Sequence, residues 1–247
     1  MALIAALRGG VTFLTRLPIA TRDDDWDAFR TTPAVMPAVG YLIGAILGVV
    51  FLFDLPASGT VGLFLATLYL LTGITHIDGL ADLGDGAVVH GDADRRRTVM
   101  RDTDTGVGGV LAIALVIAEL ALAVLALTNL PTVVAVGIVI AAEVGAKATM
   151  ALCTCRYTPG HEGLGAELLD TNEPTAWPPI VVVTLPIVVV GPPGSVVALL
   201  GAGGVGWFLA TWAVRRLDGL SGDVLGAINE LARVVALHAG VIAWMRL

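Results

Sequence analysis

The segment HIDGLADLGDG, residues 76–86, places three aspartates and a histidine where a hydrophobic stretch of the chain runs out. Carboxylates are costly beside hydrocarbon, so their concentration there suggests a cation or a phosphate-bearing substrate. On a helix, Asp78, Asp82 and Asp85 stand at i, i+4 and i+7 and share one narrow face. Carboxylates so placed repel one another unless something positive sits between them. Mg²⁺ suits that position, because it takes oxygen ligands and commonly joins one or two carboxylates to substrate phosphates. The competing reading is an ordinary polar loop at a membrane surface, where Asp and Gly are turn formers. Gly79, Gly84 and Gly86 weaken the helix, yet they would let phosphates approach the backbone closely.

Three other polar clusters follow. In RRRTVMRDTDTGVGG, residues 95–109, Arg95, Arg96 or Arg101 could grip a diphosphate with the guanidinium fork, and Asp102 and Asp104 would be further metal ligands or nucleotide contacts. The same run also reads as an anchor for anionic headgroups. In CRYTPGHEGLGAELLD, residues 155–170, His161 and Glu162 read as loop residues, and Gly163 and Gly165 fit a tight loop. In RRLDGLSGDVLGAINE, residues 215–230, Asp223 and Glu230 are seven apart on one face. Asp223 is also a candidate helix N-cap, whereas Glu230 lies two turns into an apolar helix. Glu143 and Lys147, one turn apart, read as an internal pair. Glu119 and Arg233 have no partner legible in the sequence.

The elements that must position these groups are apolar. Of 247 residues, 56% are hydrophobic and only 14% charged, with a mean hydropathy of +0.87, whereas soluble domains carry about 25% charged residues. Runs approaching the roughly 20 residues needed to span a bilayer occur at about 34–53, 57–75, 107–127, 131–152, 195–214 and 226–245, with a shorter one at about 177–191. They lack the alternating polarity of a barrel. The expected fold is therefore all-α: a polytopic membrane bundle of about seven transmembrane helices forming one domain over residues 1–247. Arg8 and Arg16 interrupt the N-terminal apolar stretch and no small-residue cleavage site follows, so it reads as an amphipathic interfacial helix and not a signal peptide. Gly40, Gly44 and Gly48 form a small-xxx-small stripe for close helix packing. Cys153 and Cys155, as a lone C-x-C, read as ordinary thiols. The pI near 4.9, the run DDDWD and the scarcity of lysine hint at a high-salt habitat.

With seven spans, the segments carrying Arg8, Arg16, Arg22, Arg30, Arg95, Arg96, Arg97, Arg101, Arg156, Arg215 and Arg216 all fall on one side, against Arg246 on the other. The positive-inside rule assigns that side to the cytoplasm, so a multi-pass protein of the cell membrane with a cytoplasm-facing site is expected. The expected partners are small molecules and membrane lipid, not nucleic acid, and a homo-oligomer is left open.

Taken together, HIDGLADLGDG, RDTDTGVGG, GLGAELLD and RLDGLSGDVLGAINE, with FLTRLPI near the N-terminus, resemble the cobalamin synthase family, adenosylcobinamide-GDP ribazoletransferase, in order and spacing along essentially the whole chain. Two departures stand out: Asp218 where the family usually has glycine, and Ser221 where it usually has threonine. The resemblance implies a membrane enzyme that joins a GDP-activated corrinoid to α-ribazole or its 5′-phosphate, releases GMP and requires Mg²⁺. On that reading Asp78, Asp82 and Asp85 hold Mg²⁺ on the diphosphate, and Asp223 and Glu230 complete the site. The catalytic candidates are Asp82, Asp85, Asp223 and Glu230, one carboxylate accepting the proton of the ribose hydroxyl. His76, Arg95, Arg96, Arg101, Asp102, Asp104, Arg215, Arg216 and Ser221 are the substrate-binding candidates. A CDP-alcohol phosphotransferase-like enzyme is one alternative, although its glycine and arginine spacing differs. A cation transporter is the other, although it would place its acids near the midplane.

Overall fold

The computed structural model describes residues 1–160 and 162–246, and among them the chain is helical without strands. The sequence expectation for His161 lies outside the described residues. Five helices are long and apolar enough to cross a membrane: α3 (Val35–Gly48, prolonged by a 3-10 turn to Leu52), α7 (Val107–Leu127), α8 (Thr132–Arg156), α11 (Gly194–Leu217) and α12 (Gly222–Arg246). Two expected spans take other forms, and the expected seven become five, or six if a bent pair is counted as one. The run at 57–75 becomes α4 (Ala57–Thr72), followed by α5 (Thr75–Val88) turned through 94°. The break falls at Gly73, whose φ of 71° and ψ of −162° belong to a region open to glycine and costly for other residues. The run at 177–191 becomes an eight-residue helix, α10 (Trp177–Thr184), with a 3-10 turn to Val189. Its prolines, Pro178, Pro179 and Pro186, explain why no long helix forms there.

α8 and α12 are mostly buried and form the centre, while α7 and α11 leave most of their apolar surface outward. Helices gain little hydrophobic drive from meeting in lipid, so small residues set the approach. A Cβ added at Gly40 would lie 2.9 Å from Val144 Cα, and one at Gly44 2.7 Å from Ile140 Cα, so the glycine stripe seats α3 on α8 as expected. Cys153 and Cys155 are free and buried, in agreement with ordinary thiols.

The N-terminal stretch forms α1 (Ala2–Leu14), which exposes Leu3 and Ile4 and buries Ala5, Ala6 and Leu14. It is fastened to α2 (Asp25–Arg30) by an ion pair between Arg8 and the buried Asp25. α2 in turn holds α9 (Leu164–Thr171): Trp26 Nε1 donates to Glu167 at 2.8 Å and Arg30 Nη1 to Thr171 Oγ1 at 3.1 Å. α6 (Ala93–Met100) bridges to the end of α11, where Arg97 donates to Leu217 O at 2.6 Å and to Asp218 at 3.1 Å.

Candidate functional site

α5 lies across the N-terminal ends of α7 and α12, outside the long apolar helices, and glycines permit that crossing. A Cβ on Gly79 would fall 2.6 Å from Asp223 Cα, and one on Gly226 3.0 Å from His76 O. Farther along α5, Gly84 and Gly108 meet backbone to backbone: a Cβ on either would lie 2.8 or 2.6 Å from the other's carbonyl oxygen. Gly86 faces the Met100 side chain. The expectation that Gly79, Gly84 and Gly86 leave room for phosphate is thereby corrected, because protein atoms already fill that room.

The crossing unites two acidic motifs that are more than a hundred residues apart in sequence. Asp78 is exposed and Asp82 and Asp223 are half-buried. The Asp82 carboxyl is pushed up to about 7, by burial first, then by the charge of Asp223, ahead of those of Asp78 and Asp85. Beside them opens a cleft of about 280 Å³, lined by Phe13, Thr75, His76, Asp78, Met150, Asp223 and Leu225, with Gly163, Leu164, Gly165 and Leu168 at the start of α9. His76 is buried, and its Nδ1 has no hydrogen-bond partner among the described residues. The apolar members of this lining carried no signal in the sequence, since Met150 or Leu168 on a helix looks like any core residue.

Other candidates occupy different places. Asp85 is buried, and its carboxylate accepts hydrogen bonds from the N–H groups of Gly106 at 2.7 Å and Gly109 at 2.9 Å, so it serves the otherwise unsatisfied N-terminus of α7. Ser221 caps α12: its Oγ accepts from Val224 N at 3.3 Å while its hydroxyl donates to Asp223 at 3.3 Å. The capping role entertained for Asp223 therefore belongs to Ser221.

Glu230 is a second correction. It is fully buried, with Oε1 2.7 Å from Arg233 Nη1 and 3.0 Å from Asn229 Nδ2. Arg233 also pairs with Glu143, which is bonded to Lys147 Nζ at 2.7 Å. The cation that makes Glu230 tolerable is thus a side chain, and two acids are balanced by two bases inside the bundle. The internal Glu143–Lys147 pair stands as expected, and Arg233, which had no legible partner, has two.

Among the arginines, Arg96 is buried and donates to the carbonyls of Gly86 and Ala87 at 2.7 and 3.0 Å, closing the end of α5. Arg95, Arg101, Arg215 and Arg216 are exposed and do not line the cleft. Asp102 and Asp104 are exposed in the turn between α6 and α7, where Asp104 N–H donates to Asp102 at 3.3 Å. Among the described residues no group of three His, Cys, Asp or Glu side chains closes around an ion by itself.

A family profile described as cobalamin-5-phosphate synthase matches residues 6–241. An adenosylcobinamide-GDP ribazoletransferase of Haloquadratum walsbyi is 43% identical over 251 residues, covering 98% of this chain and 99% of that one. Proteins of the same name are similar in Halorubrum lacusprofundi, 44% identical with 99% of each chain covered, and in Halobacterium salinarum, 47% identical with 75% of this chain and 95% of that one covered. No solved structure matches.

Proposed function

Because the chain belongs to the cobalamin-5-phosphate synthase family and is a membrane transferase of cobalamin synthesis, we propose that it joins adenosylcobinamide-GDP to α-ribazole or its 5′-phosphate, releasing GMP, in the cleft between α5, α9 and α12. The observation that carries this assignment is the seating of Gly79 against Asp223, which sets both acidic motifs at the rim of one cavity.

In this reading the donor set fits Mg²⁺. Asp78, Asp82 and Asp223 offer only oxygen and are at least partly exposed, the donor type that Mg²⁺ takes when it is shared with substrate phosphates. When bound, the ion would neutralise charge developing on the diphosphate. A carboxylate of this set accepts the proton of the attacking hydroxyl, for which it must come within hydrogen-bond reach. His76 forms part of the cavity wall, and Phe13, Met150, Leu164, Leu168 and Leu225 exclude water from the cavity. Arg95, Arg101, Arg215 and Arg216 supply positive charge toward the diphosphate from the same end of the bundle. Asp85 and Arg96 hold the ends of α7 and α5 and act on the chemistry only through position. The arginine-rich end faces the cytoplasm of the cell by the positive-inside rule.

Purified protein supplied with adenosylcobinamide-GDP and α-ribazole should release one GMP per joined product and stop when divalent ions are chelated. Joining at an undiminished rate in chelator would refute the Mg²⁺ assignment. Consumption of both substrates without GMP would refute the reaction.

A further inference from the structure

Arg233 follows Asp223 along α12 by about 15 Å, at 1.5 Å per residue, and there it joins two helices. Its guanidinium is bonded to Glu143 of α8 and lies 2.7 Å from Glu230 Oε1 on its own helix, while Lys147 Nζ donates to Glu143 at 2.7 Å. All four side chains are at most 1% exposed. Replacing such a set by apolar residues of similar volume often leaves a protein as stable or more so, which makes stability a weak reason for it. Register is a stronger one. The buried surfaces of the two helices are rich in small residues, such as Ala142, Ala146 and Ala151 on α8 and Ala232, Ala236 and Gly240 on α12. Such residues let helices approach closely but interlock little, and lipid adds no hydrophobic drive toward one alignment. A slip of one turn, about 5.4 Å, would part Arg233 from Glu143 and leave charges buried and unpaired.

We propose that the Glu143–Arg233 bond is the register key of the bundle: it sets the depth of α12 against α8 and so holds Asp223 against Gly79 of α5, in the cleft. The contacts run in step along the two helices, from Ile138 with Gly240, through Glu143 with Arg233, to Met150 and Leu225 in the cleft wall. α5 is fastened separately to α7 through Asp85, so a slip of α12 would move Asp223 away from Asp82 by more than a hydrogen-bond length. Arg233 is then a positioning residue for the transfer and acts through Asp223. That consequence rests on the proposed reaction, whereas the register can be read without it.

A Cβ on Gly240 lies 2.6 Å from Ile138 Cγ2, close enough for a disulfide between these positions. In the full chain with Cys153 and Cys155 replaced by Ala, Ile138→Cys with Gly240→Cys should cross-link in native membranes several-fold more readily than two displaced pairs. These are Ile138→Cys with Ala236→Cys and Ala142→Cys with Gly240→Cys, which match a slip of one turn in either direction. Two charge-balanced variants break the bond, Glu230→Gln with Arg233→Met and Glu143→Gln with Lys147→Met. Each should insert and lose the preference in favour of a displaced pair. Each should also lower kcat for GMP release by about 100-fold, as a small misplacement of reacting groups does, with KM little changed. The native cross-link retained in both variants overturns the proposal, whatever becomes of kcat, and so does a displaced cross-link at the wild-type kcat. Failure of both variants to insert also overturns it, because the bond then serves the fold and not the register. A wild type that releases no GMP removes the proposed reaction, and the cross-links still decide the register.

Discussion

Asp82 and Asp85 are three residues apart on one short helix and are asked to do opposite things. Asp85 satisfies two backbone N–H groups at the start of α7, so Asp85→Asn should lower thermal stability by about 1–2 kcal/mol, the usual worth of a helix-terminal carboxylate. Asp82 is crowded by like charge. A carboxyl whose value is raised on folding costs stability once pH passes above the unfolded value, so Asp82→Asn should unfold no lower than wild type at pH 8 while losing transfer. Thermal unfolding in detergent beside the GMP-release rate separates the two. The i, i+4, i+7 spacing was legible in the sequence, but not this division of labour, since the amides that occupy Asp85 lie 21 and 24 residues onward. Glu230 was misjudged for a similar reason: its neutralising Arg233 is a turn away, but the Glu143 that completes the network is 90 residues from Arg233. Asp218 resolves differently. It ends α11 with φ of 60°, a left-handed position that suits glycine, and its charge is taken up by Arg97 at 3.1 Å. The negative charge that Asp218 brings where the family usually has glycine is therefore paired.

At the scale of elements, hydropathy located the long helices well because a span is a run of composition, and the glycine stripe of α3 foretold a close helix contact, though not that its partner is α8. It did not foretell the bend at Gly73 or the short α10, since both arise where local backbone preference interrupts an otherwise apolar run. The crossing of α5 over α12 is the element on which the site depends. Gly79→Ala would push a methyl onto Asp223 Cα, costing about 1–3 kcal/mol as overpacking commonly does. It should also reduce transfer more than Gly62→Ala, whose added methyl meets open space. The α1–α2 latch supplies a pH test. Hydrogen bonding from Arg8 holds the Asp25 carboxyl below its ordinary value. A depressed carboxylate contributes stability that is present above the unfolded value, about 3.9, and is lost as pH falls through the folded one. Hydrogen exchange over residues 22–30 should therefore be slow at pH 6, after correction for intrinsic rates, and accelerate only below about pH 4. Unchanged protection at pH 3 would remove the latch.

The whole molecule is a membrane bundle whose polar chemistry gathers at one end, above a buried network in which Glu143 and Glu230 are balanced by Lys147 and Arg233. The central claim is that the motifs around Asp82 and Asp223 form a single site although the chain between them crosses the bundle several times. A double-mutant cycle on GMP release measures that claim most directly. Asp82→Asn and Asp223→Asn should each slow release by about 100-fold or more, as removal of a positioned catalytic carboxylate does, and the double variant should be scarcely slower than the worse single, because groups that act as a unit are not additive. An Asp223→Asn enzyme at the wild-type rate, or losses that multiply in the double variant, would contradict a shared site.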